Sequence, residues 1–219
     1  FTLEMYENGG GDAMRLDWSY AGQSTTTVPA TAFFTQDGEI SEGLTMDGAE
    51  GNDALIGSGN ADILEGGSGD DAIDGNAGDD TITGGAGDDT INGGVGDDIA
   101  IFIGNQSDYT FESSADGLTV TITNTVNNDV DTVTGVETLR FNDRDITVSL
   151  DANGLVLTGD ADGNDITIVG SVPVTVYGAE GNNIITGASG DDTITAGSGE
   201  DTIDGNAGDD TITGGAGDD

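Results

Sequence analysis

Acidic residues stand at fixed places inside glycine turns, an arrangement that gathers hard oxygen ligands around a cation. Nine-residue segments begin at Gly48, Gly57, Gly66, Gly75, Gly84 and Gly93, as in GGSGDDAID and GGAGDDTIN, and the same template returns from Gly178. Glycine comes first and usually fourth, an acid sixth and an aliphatic residue eighth. Glycine admits positive φ and carries no side chain, so neighbouring carbonyl oxygens can converge on an ion. Carboxylates and carbonyls suit Ca²⁺ better than zinc or copper. Solvated turns alone would not need so fixed a register.

Other chemistry finds no residues to carry it. With no histidine and no cysteine, neither a zinc-protease helix, a Ser-His-Asp triad nor a Cys-His pair can be assembled. No G-x-S-x-G elbow occurs either. The many carboxylates lie in turns rather than in an apolar cleft, which favours ligation over acid-base catalysis. The segment reads as no enzyme. Its 43 acidic residues face three arginines (Arg15, Arg140, Arg144) and no lysine, a net charge of −40. Such a body repels itself without counterions and makes a poor partner for nucleic acid or an anionic membrane surface. No apolar run reaches the roughly 18 residues of a membrane-spanning helix, so no membrane insertion is expected.

The elements that must position these acids follow from the last three residues of each repeat. One aliphatic residue between two small polar ones, as in DTIT, is a short strand with its aliphatic side chain inward. A strand that short cannot bury a side chain alone, so successive repeats must stack into a parallel β-solenoid. Leu55, Leu64, Ile73, Ile82 and Ile91 are expected to fill one core, and Ile185, Ile194, Ile203 and Ile212 another. Residues 178–219 repeat 48–89 with 28 identities in 42, which is the mark of a tandem array.

The template G-G-x-G-x-D-x-U-x resembles the calcium-binding nonapeptide of the repeats-in-toxin (RTX) proteins. The resemblance implies an all-β fold, a parallel β-roll (β-solenoid) in two blocks with an intervening β-strand cap segment. Four parts are expected. Residues 1–36 resemble the closing strands of a protective-antigen-type lectin-like sandwich; 37–101 form the first block; 102–150 cap it; 151–219 form the second block. Phe102, Tyr109, Phe111, Leu139 and Phe141 would cover the aliphatic end of the first block. The chain starts at Phe1 and stops inside a repeat, so a longer parent is expected.

In the family two nonapeptides make one coil, and an ion lies between turns two repeats apart. The resemblance implies that the earlier turn gives its first, third and fifth carbonyls. The later turn gives its second and fourth carbonyls and its sixth carboxylate. That pairs Gly48, Glu50 and Asn52 with Gly67, Gly69 and Asp71, and Gly66, Ser68 and Asp70 with Gly85, Gly87 and Asp89. On the opposite edge it pairs Gly57, Gly59 and Ala61 with Asn76, Gly78 and Asp80, and Gly75, Ala77 and Asp79 with Gly94, Gly96 and Asp98. In the second block Gly178, Glu180 and Asn182 meet Gly197, Gly199 and Asp201. Gly187, Ser189 and Asp191 meet Asn206, Gly208 and Asp210, while Ala196, Ser198 and Glu200 meet Gly215, Gly217 and Asp219. Asn183 stands where an aspartate is usual and costs its turn one charge. Val174 takes the carboxylate place on the other edge, which should therefore start empty. Side chains of the fifth-position acids are expected to face solvent.

Calcium ions are thus the partners expected, with further copies of the chain or other cell-surface components beside them. The family is exported by type I secretion, which implies an extracellular or cell-surface location. Two roles are compatible with it: a calcium-stiffened segment of an adhesin, surface-layer or filament protein, or the secretion and folding module of an RTX protease, lipase or epimerase.

Overall fold

Small outward residues flank a single inward aliphatic side chain in each repeat, and in the computed structural model this pattern gives strands of three to six residues separated by glycine turns. The structure describes residues 43–115, 117–151 and 154–218. The expectations for residues 1–36 and for Asp219 fall outside them.

In chain order the strands of the first block are β1 (Thr45–Asp47), β2 (Ala54–Ile56), β3 (Ile63–Ser68), β4 (Ala72–Asp74), β5 (Thr81–Ala86), β6 (Thr90–Asn92) and β7 (Ile99–Ile101). The middle segment holds β8 (Tyr109–Ser113), β9 (Thr119–Asn124), β10 (Val130–Thr134), β11 (Thr138–Arg140) and β12 (Asp145–Asp151). The rest comprises β13 (Gly154–Thr158), β14 (Asp165–Val169), β15 (Thr175–Tyr177), β16 (Ile184–Thr186), β17 (Thr193–Ser198), β18 (Thr202–Asp204) and β19 (Thr211–Ala216). Among the described residues there is no α-helix, and only a single 3-10 turn, Gln106–Asp108.

Odd and even strands of each block fall into different sheets. One sheet runs β1-β3-β5-β7-β11-β12-β13-β15-β17-β19 and the other β18-β16-β14-β8-β9-β10-β6-β4-β2. Within blocks the pairing is parallel, with Leu64 opposite Ile82 and Ile82 opposite Ala100 in one sheet, and Leu55 opposite Ile73 and Ile73 opposite Ile91 in the other. These side chains are buried between the sheets, and each leucine or isoleucine contributes about 1.5–3 kcal/mol on burial. The second block repeats the layering with Val176, Ile194 and Ile212 opposite one another in turn, and Ile166, Ile185 and Ile203 likewise. Ile212, in the last strand of its sheet, remains 47% exposed.

The middle segment covers the end of the first block, as expected, and then goes further: it carries both sheets into the second block. β10 and β11 stack in parallel on β6 and β7. Two antiparallel steps follow in each sheet, β10-β9-β8 and β11-β12-β13. Two reversals restore the strand direction, so β14 and β15 can resume parallel pairing on β8 and β13. The physical reason is that a capped end would still leave unpaired strand edges, whereas hairpins pair them at little cost in chain length. Phe102, Tyr109, Phe111 and Phe141 fill the core here, with ring centroids 5.0 to 6.1 Å apart.

Candidate metal centre

A repeated acceptor links each coil to the next. The sixth-position aspartate of a later turn accepts, on Oδ1, the backbone N–H of the sixth residue 18 positions earlier. Asp53 N–H donates to Asp71 at 2.8 Å, Asp62 to Asp80 at 2.7 Å, Asp71 to Asp89 at 2.9 Å and Asp80 to Asp98 at 2.8 Å. In the second block Val174 N–H donates to Asp192 at 3.0 Å, Asn183 to Asp201 at 2.8 Å and Asp192 to Asp210 at 2.9 Å. These bonds hold the carboxylates in two rows, one along each edge of the roll.

In four of these carboxylates the second oxygen has no such partner. Asp71, Asp80, Asp89 and Asp98 are at most 3% exposed, and the Oδ2 of each is buried without a hydrogen bond. Buried acceptors of this kind are costly unless something positive reaches them. Burial is the main influence raising the pKa of all four, the accepted N–H bond opposes it, and like charges add to it, from neighbouring aspartates and, at Asp98, first from Glu137. Asp80 and Asp89 are pushed up to about 6. Asp131, in the middle segment, is pushed up to about 7 by burial first and then by the charges of Asp89, Asp129 and Asp88.

At Asp71, Asp80 and Asp98 the free Oδ2 shares its space with a carbonyl oxygen of the following coil. Asp71 Oδ2 and the Gly84 carbonyl both lie against the open side of Gly66, and Asp80 Oδ2 and the Gly93 carbonyl both lie against Gly75. A Cβ at either glycine would collide with them, so the absence of a side chain keeps this space for something else. Two asparagines show what the space requires. At Asn183, in the equivalent place, Nδ2 donates to the Ala196 carbonyl at 3.1 Å, and Asn164 Nδ2 donates to the Gly178 carbonyl at 2.9 Å. An amide closes the gap with N–H; a carboxylate there confronts oxygen with oxygen.

Carbonyl directions are set by the second and fourth positions of each turn. Gly67 and Gly69 have φ of 109° and 120°, and a Cβ there would strike the Ala49 and Gly51 carbonyls. Second and fourth carbonyls of an earlier turn therefore face the later one; Gly67 and Gly69 face Gly85 and Gly87 in the same way. First carbonyls of the later turn face back: Gly66 toward Gly48, Gly84 toward Gly66 and Gly93 toward Gly75. Third carbonyls also face back, with Ser68 and Ala86 accepting from Gly51 and Gly69 N–H at 2.8 and 2.7 Å. The turns expected to pair do meet, but the odd and even carbonyls face the opposite way to the expected division. Positive φ at the even positions turns the peptide planes alternately, and that alternation has no signature in the spacing.

Two turns differ. Neither Ser58 and Asn60 in the Gly57 turn nor Ala188 and Gly190 in the Gly187 turn has positive φ. Ser58 N–H instead donates to Asp62 Oδ2 at 2.5 Å and Ala188 N–H to Asp192 Oδ2 at 2.7 Å. The side chains of Asn76 and Asn206, in the following turns, donate to the Gly57 and Gly187 carbonyls at 2.8 and 2.6 Å. Both carboxylates are thus satisfied by the protein itself. Fifth-position acids are exposed, and their Oδ1 atoms accept the N–H of the next coil, as Asp79 does from Asp97 at 3.0 Å and Asp191 from Asp209 at 2.9 Å.

Sequence reasoning passed over Asp53, Asp62 and Asp192, sixth residues of the first turn on their edges, and Asp131 and Glu137, which lie outside any nonapeptide. Their shared signal is an acid followed by a strand triplet, as in Asp131-Thr132-Val133 and Glu137-Thr138-Leu139 beside Asp80-Thr81-Ile82. Among the described residues no three acidic side chains converge as a cluster, so backbone carbonyls must supply most of any ligand set.

A parallel β-roll with carboxylates in register along both edges defines the class. Residues 47–82, 65–100, 175–203 and 186–219 match the RTX calcium-binding nonapeptide repeat family. No curated protein matches the chain. Among solved structures, extracellular lipase LipA from Serratia marcescens is similar, with 25% identity over 74% of this chain and a TM-score of 0.42. The match spans 29% of the lipase.

Proposed function

We propose that the chain is a calcium-binding structural module whose turns hold ions between successive coils. The observation that carries this is the set of buried aspartate oxygens facing carbonyl oxygens where asparagine, at two equivalent places, supplies an N–H. A divalent cation meets the same need for four aspartates and neutralises charge along each edge. Between the Gly66 and Gly84 turns the ligands are the Gly67 and Gly69 carbonyls and Asp71 Oδ2 from the earlier turn, with the Gly84 and Ala86 carbonyls from the later. Between the Gly75 and Gly93 turns they are the Asn76, Gly78, Gly93 and Val95 carbonyls with Asp80 Oδ2. The Gly48 and Gly66 pair offers Ala49, Gly51, Asp53, Gly66 and Ser68. An all-oxygen set rich in neutral carbonyls suits the weaker extracellular class of calcium site, with Kd on the order of 10⁻⁴–10⁻³ M.

Ion binding to the folded state alone adds RT ln(1 + [L]/Kd) per site, so the acidic chain stays open at low calcium and folds at extracellular calcium. That behaviour fits export in an unfolded form by type I secretion and service outside the cell, as a stiff segment of an adhesin, surface-layer or filament protein. Where the chain is part of a longer polypeptide, the flanking residues decide between that role and the folding module of a secreted enzyme. Circular dichroism in chelator and in millimolar calcium tests the calcium step. A disordered spectrum that becomes β on adding calcium is expected; a full β signal in excess chelator overturns it.

A further inference from the structure

The carboxylate rows do not stop where the nonapeptides stop. β10 lies on β6 with Val133 opposite Ile91, and β11 lies on β7 with Leu139 opposite Ala100. Residues 129–140 therefore form one more coil of the first block, although the offset from the preceding coil is 42 residues in one sheet and 39 in the other. On one edge Asp89 N–H donates to Asp131 Oδ1 at 2.9 Å, the same bond that Asp71 N–H makes to Asp89. Thr132 N–H donates to the Asp89 carbonyl at 2.8 Å, as Thr90 does to that of Asp71. The fifth-position row continues too, with Val130 N–H on Asp88 Oδ1 at 2.8 Å.

On the other edge Asp98 N–H donates to Glu137 Oε2 at 2.8 Å. The turn here is only Gly135-Val136-Glu137, half the usual length, and the extra methylene of glutamate restores the reach that the shorter turn gives up. The Gly135 carbonyl lies against Gly93 beside Asp98 Oδ2, where the Gly93 carbonyl lies against Gly75 beside Asp80 Oδ2. Beneath this coil lie Asp89 and Asp98, buried to 2% and 1% exposure, each with an unpartnered Oδ2.

We propose that this non-repetitive coil adds two calcium sites, one on each edge. Asp89 and Asp131 flank the first; Asp98, the Gly135 carbonyl and Glu137 form the second. The coil thereby ties the middle segment to the first block with ions as well as with strands. This rests on the calcium-binding role proposed above.

The test is equilibrium dialysis of calcium on the full chain and on Asp131→Asn, Glu137→Gln and Glu65→Gln. Glu65 is an exposed residue on the outer face of β3 and controls for loss of one charge. Asparagine and glutamine keep the oxygen that accepts the Asp89 or Asp98 N–H, so a merely structural role survives the change, and folding in saturating calcium is checked by circular dichroism. D131N and E137Q are each expected to lose one ion from the saturating count, or to weaken one ion at least tenfold, while E65Q binds like wild type. In a variant that does not fold, crystals of the wild type grown with calcium and read by anomalous scattering decide instead: peaks beside Asp89 and Asp98 support the two sites, and their absence overturns them. Equal counts in all four proteins overturn this inference alone, whereas a wild type that binds no calcium overturns the proposed function as well.

Discussion

Replacing Asp80 by Asn should stabilise the protein in chelator and lose most or all of that advantage in calcium. Asp80 Oδ1 accepts the Asp62 N–H at 2.7 Å, while Oδ2 is buried and unpartnered opposite the Gly93 carbonyl. Asparagine keeps the first bond and turns the second oxygen into an N–H₂ group, the arrangement that Asn183 already makes with Ala196 at 3.1 Å. Without calcium the variant removes a buried unsatisfied acceptor, which costs about 1–3 kcal/mol, and gains a hydrogen bond worth about 1 kcal/mol. It should therefore be more stable than wild type by roughly 2–4 kcal/mol. With calcium at 100 times Kd the wild-type site supplies about 2.7 kcal/mol that the variant forgoes, which cancels most or all of that advantage. Asp79→Asn, one residue away on the exposed side, should stay within about 0.5 kcal/mol in both conditions. Urea melts in saturating calcium measure the difference with the ion bound; osmolyte-assisted folding in chelator, followed by circular dichroism, measures the difference without it. A loss of similar size in both conditions would show that Asp80 is a structural hydrogen-bonding residue and no ligand.

Two further outcomes follow from coils that satisfy themselves. In Ser58→Gly combined with Asn76→Gly, the N–H on Asp62 Oδ2 and the amide on the Gly57 carbonyl give way to the ordinary glycine turn; the double variant should bind one more calcium than wild type in dialysis, and an unchanged count would refute the view that these groups stand in for an ion. Coils closed by Asn164 and Asn183 need no cation, and they adjoin the aromatic core around Phe111. Hydrogen exchange at limiting calcium should find amides of β14 and β16 protected before those of β4 and β6, and protection of the first block ahead of them would contradict that order.

The parts of the molecule that could be read from residues are those fixed by period. An aliphatic residue every nine positions determines which side chains point inward, and that alone sets the parallel register, since a slip of one residue would turn Ile73 and Ile82 to solvent. Peptide direction is different. Whether the Gly67 carbonyl faces the coil before or the coil after depends on the sign of φ at a residue with no side chain, and glycine is chosen for permitting either sign. The spacing of Gly66, Gly84 and Asp71 therefore locates a site without assigning its donors.

Residues 102–150 were legible as strands and aromatic core but not as a continuation of the roll. What keeps them in the roll is not glycine. It is the acid that precedes each inward strand: Asp131 before Thr132-Val133, Glu137 before Thr138-Leu139. An acid in that place accepts an N–H from the coil below, and this bond is made equally by a six-residue turn, by the three residues 135–137, or after the hairpin of β8 and β9. The nonapeptide is one way of delivering a carboxylate to the edge at the right height. Where the chain delivers it by another route the stacking persists, and so does the buried, unpartnered carboxylate oxygen on the coil beneath.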